Sequence, residues 1–106
     1  MIFPLLFATF IALAPQNTTY PAVLDCIIEH ESGGRQFAAD GGPLMSPTGD
    51  IGIFQINLRT WQSTAERMGL DLSNENDNLE FGYWLYTTHG PQLWATYKYC
   101  QGAETG

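Results

Sequence analysis

The chain has 106 residues and a formal net charge of −7, which bounds it to one small domain with a limited core. Its basic residues, Arg35, Arg59, Arg67 and Lys98, are few and scattered. That balance excludes a nucleic-acid-binding surface and strong attachment to anionic membranes.

Residues Met1 to Ala14 carry no charged side chain and are almost wholly apolar, with Pro4 interrupting the run. The stretch closes on Ala12-Leu13-Ala14, a small-x-small pattern that suits signal-peptide cleavage before Pro15. It is too short for a comfortable membrane span and lacks the Lys or Arg usual ahead of an apolar core. Residues 1–14 are therefore read as a signal peptide. An uncleaved anchor or an apolar terminal helix packed on the domain are the other readings of the same residues. Cleavage would leave residues 15–106 as the mature domain, secreted or held in the periplasm or cell envelope, with no stable membrane insertion and expected as a monomer.

After a polar lead-in over 15–19, the pattern predicts a helix from about Tyr20 to Ser32. Pro21 sits in its first turn, and Val23, Leu24, Ile27 and Ile28 make its core stripe. Five glycines and two prolines between 33 and 49 predict a loop or ragged hairpin. Ile51, Ile53, Phe54 and Ile56 form a short apolar run, a strand or tight turn against the first helix. A second helix starts at the cap Asn57 and runs through Trp61, Ala65 and Met68 to Gly69. A third spans about Glu75 to Thr88, packing Leu79, Trp84 and Leu85. A last short helix is expected over about Gln92 to Tyr97. Cys26 and Cys100 are an even pair, which in an exported chain reads as one disulfide; two unpaired buried thiols are the alternative.

Glu31 stands out within this layout. Gly33 and Gly34 place it at a helix C-terminus, whose partial negative charge disfavours a carboxylate. Apolar neighbours would raise its pKa further by desolvation. A glutamic acid kept protonated near neutral pH is what a general acid must be, whereas a solvated glutamate at a frayed helix end is the bland reading. Other chemistries fall away. His30-Glu31 resembles the start of a zinc-protease motif, but Gly34 stands where the second histidine must be. Two histidines are too few for an ordinary zinc site without carboxylates. No glycine loop has the phosphate-cradling pattern, and neither metal nor organic cofactor is implied.

Glu31-Ser32-Gly33, the loop after it and Gly52-Ile53-Phe54-Gln55-Ile56 resemble the first two motifs of the soluble lytic transglycosylases. Asn78-Leu-Glu-Phe-Gly82-Tyr-Trp-Leu85-Tyr86 is similar to their Asn-x-x-x-Gly-x-x-Tyr-Leu segment, with the last two residues exchanged. Asp50-Ile-Gly-Ile-Phe-Gln-Ile-Asn57 resembles the Asp-Tyr-Gly-Ile-Leu-Gln-Ile-Asn of chicken-type lysozymes. Both families belong to the lysozyme-like superfamily, and the likeness spans about residues 22–97. It implies a mainly α, α+β lysozyme-like domain with a short irregular or β hairpin beside a groove. It also implies cleavage of the β-1,4 bond between N-acetylmuramic acid and N-acetylglucosamine in peptidoglycan strands.

In that resemblance Glu31 is the acid and Asp50, nineteen residues on, aligns with the second carboxylate of the lysozymes. Asp50 would be nucleophile or electrostatic stabiliser, or a turn aspartate of Thr-Gly-Asp. Ser32, Gly52, Gln55, Asn57 and Tyr97 are the candidate substrate-binding residues. Tyr97 is the nearest match to the tyrosine of the family's Ala-Tyr-Asn motif, although the chain reads Ala95-Thr96-Tyr97-Lys98. Trp61, Trp84 and Trp94 are candidates for stacking on sugar rings, or are core. A catalytically silent domain of the same fold that binds glycan or a wall protein is the competing reading.

Overall fold

The structure, a computed structural model, describes residues 20–104; the signal-peptide segment lies outside the described residues. The domain is mainly helical, with one two-stranded antiparallel sheet. Helix α1 spans Ala22–Ser32, β1 Asp50–Ile51, β2 Ile56–Asn57, α2 Leu58–Arg67 and α3 Glu75–His89. No described helix is long and apolar enough to cross a membrane.

Local chemistry sets the helix ends. Gly33 closes α1 in the left-handed conformation at φ 65°, its N–H bonding the Glu29 carbonyl. Asn57 and Asn74 cap α2 and α3 by accepting hydrogen bonds from the N–H groups of Thr60 and Asp77. Loop 33–49 is irregular, crossed by isolated bridges between Phe37 and Pro43 and between Met45 and Ile51.

One expectation needs correction. The last helix is replaced by three 3-10 turns, Pro91–Leu93, Ala95–Tyr99 and Gln101–Glu104. Trp94 breaks the run in extended conformation (ψ 123°), and its indole N–H donates to the Phe54 carbonyl.

The core centres on Phe54, whose side chain is wholly buried among Val23, Leu24, Ile27, Phe81, Leu85 and Trp94 of the same cluster. A Cβ on Gly82 would lie 2.0 Å from the Phe54 ring, so α3 approaches the ring only because residue 82 has no side chain. One turn earlier the fully buried Asn78 carboxamide donates to the carbonyls of Ile51 and Leu72 and accepts from the Phe54 N–H. The Asn-x-x-x-Gly pattern thus puts an anchor and a gap on one face of α3. At the other end of the chain, Cys26 and Cys100 form a disulfide with Cα atoms 5.7 Å apart, tying the final turns to α1.

Candidate active site

Glu31 occupies the last turn of α1, and its neighbour Ser32 fixes that end in place. The buried Ser32 hydroxyl donates to the Ile53 carbonyl at 2.7 Å and accepts from the Gly34 N–H. Ser32 therefore spends its hydroxyl inside the protein, joining α1 to the hairpin turn.

Glu31 itself lines a cleft of about 260 Å³ with Asp50, Gln55, Asn57, Trp61, Leu93 and Trp94, among others. Its carboxyl is held above the usual range, chiefly because burial penalises its charged form. A hydrogen bond from Thr96 opposes the shift, the charge of Asp50 adds to it, and His30 opposes it. The Thr96 hydroxyl donates to Glu31 Oε2 at 2.7 Å.

Asp50 has the contrary environment. Burial pushes its pKa up, but hydrogen bonds from Ser46, Asn57 and Thr48 outweigh that and leave it below the ordinary carboxylate value. Asn57 donates to Oδ1 at 2.9 Å, while the Ser46 and Thr48 hydroxyls donate to Oδ2 at 2.6 and 2.8 Å. One acid is thus pushed toward the neutral form and the other toward the ionised form within a single cleft. That division is the pattern of an acid paired with a fixed carboxylate.

The remaining candidates are placed as follows. Gln55 lines the cleft at φ 52°, a non-glycine residue in the left-handed region, with both amide hydrogens directed to the carbonyls of Leu44 and Gly52. Asn57 lines it too, its side chain divided between Asp50 and the cap of α2. Gly52 is buried within the hairpin turn, where an added Cβ would meet Asn78 and Gln36; it faces interior amides. Tyr97 packs partly buried against the core and is not among the residues lining the cleft. Trp94 is buried, Trp61 and Trp84 half-buried, and Trp61 and Trp94 also line the cleft.

Thr96, Ser46 and Thr48 were not singled out from sequence. The signal for Thr96 was positional: counted from Ala95, it stands where the Ala-Tyr-Asn motif has its tyrosine. Ser46 and Thr48 precede Asp50 in a Ser-Pro-Thr-Gly-Asp loop whose hydroxyls fold back onto the carboxylate.

A larger hollow, about 320 Å³, takes the neighbouring residues Ile51, Leu58 and Gln62. Strand alternation turns Ile51 away from the face that Asp50 occupies. One of its acids, Asp71, is exposed and held low by hydrogen bonds from Ser73, so it offers no proton donor. The carboxyl that burial raises, that of Glu31, lines the smaller cleft.

Residues 8–97 match the family model described as Transglycosylase SLT domain. No curated protein and no solved structure matches the chain.

Proposed function

Because the chain belongs to the transglycosylase SLT domain family, we propose that it cleaves peptidoglycan strands at the β-1,4 bond between N-acetylmuramic acid and N-acetylglucosamine. Glu31 is the general acid and then the base. The observation that carries this reading is the half-buried Glu31 carboxyl, facing a cleft it shares with an ionised Asp50. Breaking the bond requires a proton on the leaving oxygen and stabilisation of an oxocarbenium-like sugar. Burial keeps the proton on Glu31 toward neutral pH, and the Asp50 charge supplies the stabilisation.

Asp50 suits a fixed charge better than a nucleophile. Three hydrogen bonds engage both of its oxygens, and a carboxylate has about four acceptor positions in all. Those bonds hold the carboxylate in place and stabilise its charge, which weakens it as a nucleophile. With Asp50 serving as a fixed charge, the substrate's own acetamido oxygen acts as the nucleophile. Glu31, now ionised, then takes the proton of the sugar's 6-hydroxyl as that oxygen closes on the anomeric carbon. The product is a 1,6-anhydro end. Water in place of the 6-hydroxyl would give a reducing end instead. The disulfide fits an extracytoplasmic setting, where such strands are found.

Zymography on purified wall material with wild type and Glu31→Gln tests the assignment. Loss of cleavage in the variant is expected, and a variant as active as wild type refutes it. Mass spectrometry of the wild-type products separates anhydro from reducing ends, and a wild type that binds strands without cutting them favours the silent-domain reading.

A further inference from the structure

The turn Ala95–Tyr99 brings the Thr96 hydroxyl onto the acid, and the scheme above does not use that contact. The Thr96 hydroxyl has a single proton, and it goes to Glu31 Oε2 over a separation of 65 residues. We propose that Thr96 is a positioning residue whose hydroxyl decides which oxygen of Glu31 carries the proton to the substrate. This inference rests on the reading of Glu31 as the proton donor.

In the neutral acid the carbonyl-type oxygen is the good acceptor and the hydroxyl oxygen a poor one. A donor fixed on Oε2 therefore assigns Oε2 the carbonyl role and leaves the proton on Oε1. Glu31 lines the cleft while Oε2 is turned to Thr96, so Oε1 is the oxygen left for the glycosidic bond. As the proton leaves, charge appears on the carboxyl and the Thr96 bond becomes charge-assisted and stronger. A contact that strengthens along the reaction lowers the barrier instead of tightening ground-state binding.

The same bond trims the acidity. Burial raises the Glu31 pKa, and Thr96 opposes the rise, which keeps the group able to give up its proton and later regain it. Among the described residues the charged groups acting on Glu31 are Asp50 of β1 and His30 of α1. Thr96 adds no charge of its own. Its position is secured on both sides: Cys100, four residues on, is bonded to Cys26 in α1, and Trp94, two residues back, is tied to the Phe54 carbonyl.

The test compares Thr96→Val, which removes the hydroxyl at nearly constant shape, with Thr96→Ser, which keeps it, and Thr96→Ala as a second removal. In Thr96→Val and Thr96→Ala, kcat on glycan strands should fall about 10- to 100-fold, as expected for a lost hydrogen bond to a charged group, with KM little changed. Activity is lost as pH rises through the pKa of the acid, so the basic limb of the profile should move to higher pH in both. Thr96→Ser should restore the rate and the limb. A Thr96→Val enzyme with wild-type kcat and limb overturns the proposal, as does a Thr96→Ser enzyme as impaired as Thr96→Val. Titration of the ¹³C-labelled Glu31 carboxyl by NMR gives a readout that needs no turnover. If wild type cleaves nothing, the functional reading fails. An unmoved Glu31 titration in Thr96→Val then overturns the positioning role separately, and an upward shift supports it.

Discussion

Replacing Asn78 should damage this domain more than any surface change, and the structure says by how much. The side chain is fully buried and makes three hydrogen bonds, at 3.0, 2.9 and 3.0 Å, to the Ile51 carbonyl, the Leu72 carbonyl and the Phe54 N–H. At a net value of about 1 kcal/mol each, Asn78→Ala should cost about 3 kcal/mol, with buried backbone groups left unpaired. That is a large share of the roughly 5–15 kcal/mol that holds a domain of this kind together. The midpoint of thermal unfolding should fall by about 10–25 °C. Asn78→Asp is the sharper perturbation. It keeps an acceptor for the Phe54 N–H but turns an oxygen toward two carbonyls that need a donor, and it buries a charge. Its loss should exceed that of Asn78→Ala. Urea unfolding followed by circular dichroism measures both, with an unchanged slope showing that the native state is what lost stability. A loss under about 1 kcal/mol for Asn78→Ala, or a milder effect for Asn78→Asp, would refute the anchoring role.

Other outcomes follow from the same contacts. Asp50→Asn removes the fixed charge while keeping the shape, and should lower kcat by roughly 100-fold or more; a wild-type rate would remove Asp50 from the chemistry. The pH profile of kcat/KM should be bell-shaped. Its acid limb is set by the lowered pKa of Asp50, which must be ionised, and its basic limb by the raised pKa of Glu31, which must be protonated; Asp50→Asn should lose the acid limb and move the basic limb to lower pH, because the Asp50 charge helps to raise Glu31. Glu31→Gln should be more thermostable than wild type above the raised Glu31 pKa, where wild type carries a half-buried charge. The advantage should shrink as pH falls toward the unfolded-state value, because the raised folded pKa makes wild type lose stability as pH rises through that window; an equal advantage at low pH would sink the burial argument. Replacing both Cys26 and Cys100 by Ser opens a link between residues 74 apart and should cost roughly 4 kcal/mol in the chain-entropy account, read by the same urea titration.

Much of this fold could be read from local signals, because local chemistry made those parts. Asn57 and Gly33 mark helix ends through bonds to residues within four positions, and the structure places α1 and α2 accordingly. Glu31 stood out for the same reason, close to a glycine pair, whereas Asp50 stood out by its resemblance to the second carboxylate of the chicken-type lysozymes. What stayed hidden depends on contacts between distant parts of the chain. Thr96 reaches Glu31 across 65 residues, and the one local sign of it, its place directly after Ala95, says nothing of that contact. The last segment reads as a short helix over about Gln92 to Tyr97. Trp94 breaks it because its indole N–H bonds a carbonyl 40 residues away. Asn78 and Gly82 were visible as a pattern, but their purpose requires knowing that Phe54 lies between them and the hairpin.

The hairpin turn shows how so short a sheet can hold a site steady. Two strands of two residues each cannot fix a backbone by their own pairing. The polar groups of 51–54 instead go to partners drawn from α1, the long loop, α3 and the C-terminal turns. The Ile51 carbonyl and Phe54 N–H go to Asn78 of α3, and the Ile53 N–H goes to Gln36 of the long loop. The Ile53 carbonyl goes to Ser32 of α1 and the Phe54 carbonyl to Trp94 of the C-terminal turns. Ser32 directly follows Glu31, Trp94 lies two residues before Thr96, and Asp50 directly precedes the turn. The turn is thus a common reference to which the acid, its hydroxyl donor and the second carboxylate are each tied within one or two residues. A shift of any one element must break a buried hydrogen bond before it can alter the geometry of the cleft. That is how a domain of this size can hold three groups from three segments in register without extended sheet structure.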